Sequence, residues 1–192
     1  MTPEPSEQVL LTGIRQMHAE LGAQMRERFQ RSLPLPELLS DRWQRARELG
    51  FEEGVSIYDN SYVFGDVKVG QHTWIGPFTL LDGSGGLEIG DYCSISSGVQ
   101  IYSHDTVKWA VSGGVAAYER SPVKIGSCCY IGPQSIIGRG VTIGEHSVIG
   151  ACSFVNRDVP PYTVAAGVPS RTIGAVEIDG DEVRFVYADR ER

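Results

Sequence analysis

His104 and Asp105 stand where an otherwise regular sequence pattern fails, and both side chains are suited to moving protons. A neutral imidazole near pH 7 takes a proton from a hydroxyl or an amine, the usual task of histidine in general-base catalysis. Asp105, or a backbone carbonyl, is the expected partner that orients the ring. Directly afterwards come Trp109, Gly113-Gly114, Tyr118 and Arg120, then Pro122. An aromatic segment with a glycine tip reads as a lid or as a reach toward a neighbour, and Asp105 and Trp109 are the expected acceptor contacts on it. A further carboxylate, Asp82, precedes Gly83-Ser84-Gly85-Gly86 and is expected either to touch the acceptor or to serve as a turn carboxylate. His72 and His146 fall in unbroken parts of the pattern and read as solvated corners. Cys93, Cys128, Cys129 and Cys152 lack CxxC or zinc-ribbon spacing. Their spacing puts no thiol beside His104, so a covalent cysteine route is not expected.

What must position these residues is a repeat. Aliphatic residues recur every six positions at Ile57, Val63, Val69, Ile75 and Leu81, then after two extra residues at Ile89, Ile95 and Ile101. After the interruption they run through Ile125, Ile131, Ile137, Ile143, Ile149 and Val155. Glycine follows the aliphatic in eight of these fourteen hexads, and a small or β-branched residue stands four places after it in nearly all. Strand side chains alternate between faces, so six residues suit a short strand and a tight turn. The aliphatic points inward, the small residue fits a crowded corner, and glycine is expected to supply turn dihedrals and room for close backbone approach. Three hexads close one triangular coil, and successive coils pair as parallel strands about 4.8 Å apart. Fourteen hexads then predict between four and five coils, in an all-β solenoid that needs caps at its ends. The hexad starting at Ile101 breaks the small-residue rule by placing Asp105 at the inward corner.

Three segments follow. Residues 1–54 predict a helical cap, with Leu10, Ile14, Met17, Leu21, Met25 and Phe29 on one helical stripe. Pro34 and Pro36 interrupt it, and a second helix carries Leu39, Trp43 and Ala46 on one side with Gly50 as C-cap. Residues 55–173 form the solenoid with its excursion at 104–122. Residues 174–192 form a C-terminal hairpin and tail: 176–187 alternates around Asp179-Gly180 and is expected to protect the open edge of the last coil. The formal charge of −7 argues against a nucleic-acid or anionic-membrane footprint. No run of eighteen apolar residues predicts a transmembrane helix, and no basic segment leads into an apolar one as in a secretory signal. A cytoplasmic protein with reduced cysteines is the expectation.

The segments I-G-D-Y-C-S-I-S-S-G-V-Q-I-Y-S-H-D (89–105), S-P-V-K-I-G-S-C-C-Y-I-G-P (121–133) and V-I-G-A-C-S-F-V-N-R-D-V-P-P-Y-T-V-A-A-G-V-P-S-R (148–171) resemble the hexapeptide-repeat acyltransferases. The resemblance spans about residues 57–173 and is closest to the sugar O-acetyltransferase branch, typified by galactoside and maltose acetyltransferases. It implies a left-handed parallel β-helix, a homotrimer with active sites between subunits, and acetyl-CoA as acyl donor in a groove between prisms. It places the catalytic base on His104 and the donor-binding positions on Ala151, Asn156, Arg157, Gly167 and Arg171. The expected activity is transfer of an acetyl group to a hydroxyl of a sugar or related small acceptor, with no metal. The chain departs from that branch at Pro77-Phe78-Thr79 and Asp82, where an asparagine is expected, while Asp41–Arg47 is reminiscent of an acceptor-binding segment.

Three other readings share these features. An N-acetyltransferase acting on a nucleotide-linked amino sugar would use the same donor and base. A zinc-dependent hydratase needs three imidazoles converging on one ion, and the coil count sets His104 on a different face from His72 and His146. A non-catalytic scaffold subunit would need neither the closing AAGVPSR segment nor the His104 excursion.

Overall fold

The computed structural model describes residues 5–187. The chain divides into two compact units at Asp41/Arg42. The first contains α1 (Pro5–Phe29) and α2 (Leu35–Leu39). The second begins with α3 (Arg42–Glu48) and continues through the solenoid. The second helix expected from the sequence is therefore two helices, because Ser40 is extended at their junction (φ −95°, ψ 134°). Leu39 and Trp43 remain exposed, and Ala46 alone of that trio is buried. Gly50 closes α3 as expected. At φ +75° it lets its own N–H reach Arg47 O (3.0 Å) and that of Phe51 reach Ala46 O (3.0 Å), a Schellman ending. Ala46 and Phe51 join the core, while Arg45 donates to the carbonyls of Tyr58 and Ser61. α3 thus closes the first coil with both apolar and polar contacts.

The coils follow in chain order. The first holds β1 (Ser56–Ile57) and β2 (Tyr62–Val69), and the second β3 (Trp74–Ile75) and β4 (Leu80–Ile89). The third starts with β5 (Ser94–Ile95) and β6 (Gln100–Tyr102), then leaves the prism as β7 (His104–Asp105), α4 (Val107–Val111) and β8 (Glu119–Arg120), and returns as β9 (Val123–Ile125). The fourth holds β10 (Tyr130–Ile131), β11 (Ile136–Ile137) and β12 (Thr142–Ile143). The fifth holds β13 (Val148–Ile149) and β14 (Phe154–Val155), closed by a bridge from Val159 to Ile143. β15 (Thr163–Gly167) opens a sixth level. One face therefore stacks β1, β3, β5, β10, β13 and β15, all in parallel. That is taller than the fourteen hexads predict, since Val159 and Ala165 pair with Ile143 and Ile149 beyond the last regular hexad. The architecture is the left-handed parallel β-helix.

The hexad divides its labour differently from the expectation. The inward aliphatics are buried, with Ile57, Ile75, Ile95, Ile101, Ile131, Ile137, Ile143 and Ile149 all inaccessible. The left-handed corner lies three residues after the aliphatic and carries His72, Phe78, Tyr92, Cys128, Gln134, His146, Cys152 or Tyr162 at φ 54–60°. Glycine one residue after the aliphatic serves close approach alone. A Cβ on Gly90, Gly126, Gly132 or Gly144 would fall within 2.6 Å of a backbone nitrogen in the next coil. The corner strain is offset by hydrogen bonds between coils, such as Cys128 N–H to Asp91 O (2.8 Å) and His146 N–H to Ser127 O (3.0 Å). His72 stacks on Tyr92, and His146 on Tyr162. The small inward residue is often a donor as well. Ser61, Thr73, Cys93, Cys129 and Ser135 bond the carbonyls of Gly76, Gly90, Gly126, Gly144 and Gly150 in the following coil.

The three outer faces differ. The row Lys68–Glu88–Lys124–Thr142 is in register and polar. Another row exposes Trp74 and Tyr130, and the third exposes Tyr62, Ile136 and Phe154. The hairpin forms as expected, from β16 (Ser170–Asp179) and β17 (Glu182–Tyr187), with Gly180-Asp181 at its tip. β16 pairs antiparallel with β15 and covers the last edge of the first face. The expected tail beyond Tyr187 lies outside the described residues. No described helix is long and apolar enough to cross a membrane.

Core stacking sets the stability of this fold, so Ile137→Ala should cost about 2–5 kcal/mol. Thr142→Ala, on the polar face, should stay within about 0.5 kcal/mol. Urea denaturation of both variants beside the parent checks the contrast, and equal effects would contradict the inward assignment.

Candidate active site

The two-residue insertion after Leu81 supplies the support beneath the site. Asp82 occupies the place after an inward aliphatic that glycine fills in eight hexads, and it is 1% exposed. The glycines behind it let the next coil close over it: a Cβ on Gly85 would fall 2.4 Å from the carbonyl oxygen of Ser103. Gly85 instead donates its N–H to Ser103 Oγ at 2.7 Å. Ser103, also buried, accepts from Ser121 N–H at its carbonyl (2.9 Å), so the outgoing and returning limbs of the excursion meet there.

Asp82 gathers four donors. Oδ1 accepts from Ser84 N–H (3.0 Å), and Oδ2 from Ser103 N–H (3.0 Å), Ser103 Oγ (3.4 Å) and Nδ1 of His104 (2.5 Å). Burial pushes the carboxyl pKa up, but the hydrogen bonds from Ser84, His104 and Ser103 outweigh it and hold the group at about 2. An ionised carboxylate only accepts, so Nδ1 carries a proton, and in the neutral ring Nε2 is the nitrogen with the lone pair. Nε2 makes no hydrogen bond among the described residues. The ring is about one-third exposed and lines a groove of about 640 Å³. One wall of the groove is the excursion, from His104 through Val107; the other is the prism face with Tyr102, Ile136, Phe154 and Asn156, and Gly138-Arg139 form its corner.

The structure revises the reading of Asp105. The chain has left the prism by His104, which pairs with Arg120 in the β7–β8 ribbon while Asp105 pairs with Glu119. Asp105 is therefore not at an inward corner and does not orient the imidazole. It accepts from Val107 N–H (3.1 Å) and pairs with Arg139, whose hydrogen bond is the leading cause that lowers its pKa. It still lines the groove. Asp82, expected at the acceptor or in a turn, lies beneath the ring and supplies the orienting contact. Trp109 packs edge-on against Tyr118 (5.5 Å) and is not among the residues lining the groove. Arg139 was not singled out from the sequence. It follows Gly138 at a corner, and nothing in a lone arginine there announces a role.

Of the five expected donor-binding residues, three line two clefts, and Ala151 and Gly167 line neither. Asn156 lines the His104 groove. Its neighbour Arg157 and the more distant Arg171 line a second cleft of about 170 Å³, with Asp158, Ser170 and Thr172. Neither guanidinium is in an ion pair among the described residues. Gly167 sits at the β15–β16 turn and donates its N–H to Ser153 Oγ (3.1 Å), and Ala151 is exposed at a corner. No described group of three or more His, Cys, Asp or Glu residues is arranged to hold a metal ion. All four cysteines are free, with Cys93 and Cys129 buried inside the stack.

The lowered pKa of Asp82 gives a sign that can be checked. A carboxyl whose folded value lies below its ordinary 3.8 adds stability above that value and loses it as pH falls toward about 2. Asp82→Asn should therefore destabilise the fold by about 2 kcal/mol at neutral pH. The gap to the parent should close between about pH 4 and pH 2. Denaturant melts across that range provide the measurement, and a pH-independent gap would contradict the ionised assignment.

With this geometry in place, comparison with known proteins locates the chain. Residues 122–157 match the family model described as bacterial transferase hexapeptide (six repeats). The chain is 31% identical over 141 residues to the galactoside O-acetyltransferase of Escherichia coli (strain K12), an alignment covering 63% of this chain and 68% of that protein. A hexapeptide-repeat-containing acetyltransferase of Vibrio cholerae O1 biovar eltor, solved with acetyl coenzyme A, superposes with TM-score 0.57 at 28% identity, covering 85% of this chain and 87% of that one. AntD, an N-acyltransferase from Bacillus cereus solved with dTDP and 3-hydroxybutyryl-CoA, matches with TM-score 0.57 at 23% identity, over 69% and 87% of the two chains, and shares the fold. The hexad solenoid and this degree of relatedness make the chain a member of the hexapeptide-repeat acetyltransferases.

Proposed function

We propose that the protein transfers an acetyl group from acetyl-CoA to a hydroxyl of a sugar or related small acceptor, with His104 as general base. The observation that carries this reading is the 2.5 Å contact between Asp82 and Nδ1 of His104, which leaves Nε2 as the nitrogen without a partner among the described residues, on a ring that lines a groove. A hydroxyl is a weak nucleophile and must lose its proton as it attacks. In the proposed step Nε2 takes that proton while the oxygen bonds to the thioester carbonyl carbon. Collapse of the tetrahedral intermediate breaks the carbon–sulfur bond, and the imidazolium returns the proton to the departing thiolate. Asp82 stabilises the imidazolium between these events, the role a carboxylate has beside a catalytic histidine. No cysteine is needed, which suits the burial of Cys93 and Cys129.

The donor reading rests on Asn156 and Arg157, adjacent residues that line different clefts. A CoA laid across them would put its thioester toward His104 and its phosphates beside Arg157 and Arg171, where guanidinium forks suit phosphate oxygens. Ala151 and Gly167 offer little side chain to hinder the pantetheine arm. Asp105 lines the groove, which supports its reading as an acceptor contact, whereas Trp109 packs on Tyr118 outside that lining. The V. cholerae relative was solved with acetyl coenzyme A, and the E. coli relative is a galactoside O-acetyltransferase, both of which support this choice of donor and acceptor class. A homotrimer accounts for the two apolar outer faces beside one polar face, since each prism in a threefold ring presents two faces to neighbours. The free thiols suit the cytoplasm.

His104→Ala should lower acetyl transfer to a galactoside acceptor at least about a hundredfold, the scale of a lost general base. Acetyl-CoA affinity, read by calorimetry, should hold within about twofold because His104 adds no uniform binding to the donor. Free-thiol release measures turnover, and near-normal rates in the variant would reject the assignment.

A further inference from the structure

We propose that Arg139 is the positioning residue that ties the excursion to the prism and thereby shapes the acceptor side of the groove. The inference rests on the His104 reading above. Ile137 is in register with Ile101, so the stack brings residue 139 level with Ser103, where the chain leaves the coil. From that corner the guanidinium reaches both strands of the ribbon. Nε pairs with the Asp105 carboxylate on β7, and Nη2 lies 3.0 Å from Glu119 Oε2 on β8. The other Glu119 oxygen accepts from Lys108 Nζ of α4 at 2.9 Å, and the other Asp105 oxygen accepts from the Val107 N–H that starts that helix. Outgoing strand, helix and returning strand are thus all connected, directly or through one carboxylate, to a single side chain of the scaffold.

Little else anchors this segment. α4 has no buried residue, and the β7–β8 ribbon pairs only His104 with Arg120 and Asp105 with Glu119. Trp109 and Tyr118 pack on each other within the excursion. A segment with few buried apolar contacts opens at low free energy unless polar ties retain it. A lone exposed ion pair would do little. Here one rigid planar fork engages two carboxylates, each about one-third exposed, and this is the geometry in which arginine outperforms lysine. Because Arg139 is engaged on two sides, it is placed to hold the wall made by Asp105, Thr106 and Val107 rather than to capture an anionic acceptor. His104 itself is held separately by Asp82, so the tie should govern acceptor fit more than proton transfer.

Two measurements test this together. Hydrogen–deuterium exchange is followed on the protein without substrates, and steady-state kinetics use acetyl-CoA with p-nitrophenyl galactoside as the acceptor probe. In Arg139→Ala, amides of residues 104–120 should exchange at least about tenfold faster while those of β10–β13 keep their protection. Acceptor KM should rise at least about tenfold, with the KM for acetyl-CoA and the pH profile of kcat unchanged. Arg139→Lys, able to reach one carboxylate at a time, should fall between parent and alanine variant in both readings. If Arg139→Ala does not fold, Glu119→Gln removes one arm of the tie and is judged by the same criteria. Unchanged exchange at 104–120 overturns the proposal, as does a uniform loss of protection through the coils with all kinetic constants shifting together. Exchange needs no turnover, so failure of the galactoside probe would reject the acceptor reading while leaving the tie to be judged from the amides.

Discussion

One buried carboxylate oxygen joins the scaffold to the proposed base. Oδ2 of Asp82 accepts from the backbone of Ser103 and from the ring of His104, the last residue inside the coil and the first outside it. Coil packing that is regular elsewhere must be modified to bring that oxygen there. The place filled by glycine in most hexads holds a carboxylate, and the two extra residues with Gly83, Gly85 and Gly86 turn the chain behind it so that the next coil can still close. The cost of burying the charge is offset by four hydrogen bonds. Remove the carboxylate and the Ser103 N–H and the imidazole both lose their acceptor.

The fold was legible because its period is short and each hexad repeats the same inward contact. Ile131, Ile137, Ile143 and Ile149 announce themselves by spacing alone, and the structure buries all four. The division of labour inside the hexad was not legible. A glycine in eight of fourteen hexads suggests the turn, yet the left-handed φ falls on residues such as Tyr92, Cys128 and Gln134, whose types carry no such signal. Glycine is there because the next backbone is too close for a Cβ, a constraint between coils that a single hexad does not display. The second helix was misjudged for a similar reason: Leu39, Trp43 and Ala46 have helical spacing, but an extended Ser40 breaks the axis.

The site was half legible. His104 is marked by the failure of the repeat, but its orienting partner lies 22 residues back, and adjacency favoured Asp105 instead. Solenoid geometry held the clue: Asp82 is in register with Tyr102, so the residue beneath an exit from the coil comes from the coil before. A more general signal was also available. On this face the place after the inward aliphatic carries Phe64, Asp82, Tyr102, Gly138 and Asn156; of the four that are not glycine, three line the groove or hold the proposed base, and Phe64 in the first coil does neither. Where the close-approach glycine is missing, the backbone has room for a side chain, and that room is where a groove can form. Arg139 had no comparable mark, since its partners at Asp105 and Glu119 come from an excursion whose path no periodicity predicts.

The charges around the groove suggest why an acid-held imidazole and a salt-linked excursion belong together. Three carboxylates, Asp82, Asp105 and Glu119, face two permanent cations, Arg139 and Lys108. Asp105 and Glu119 share Arg139, and Glu119 also meets Lys108, so among these carboxylates Asp82 alone has the imidazole as its partner. In the proposed reaction the proton arriving at Nε2 gives Asp82 its counter-charge as the hydroxyl attacks, a contact stronger in the transition state than with the bound acceptor. In the proposed complex the CoA phosphates lie apart from this carboxylate, beside Arg157 and Arg171 in the second cleft. A hydroxyl next to the acid-held imidazole and an anionic donor tail beside two guanidiniums would then each meet the charge that suits it.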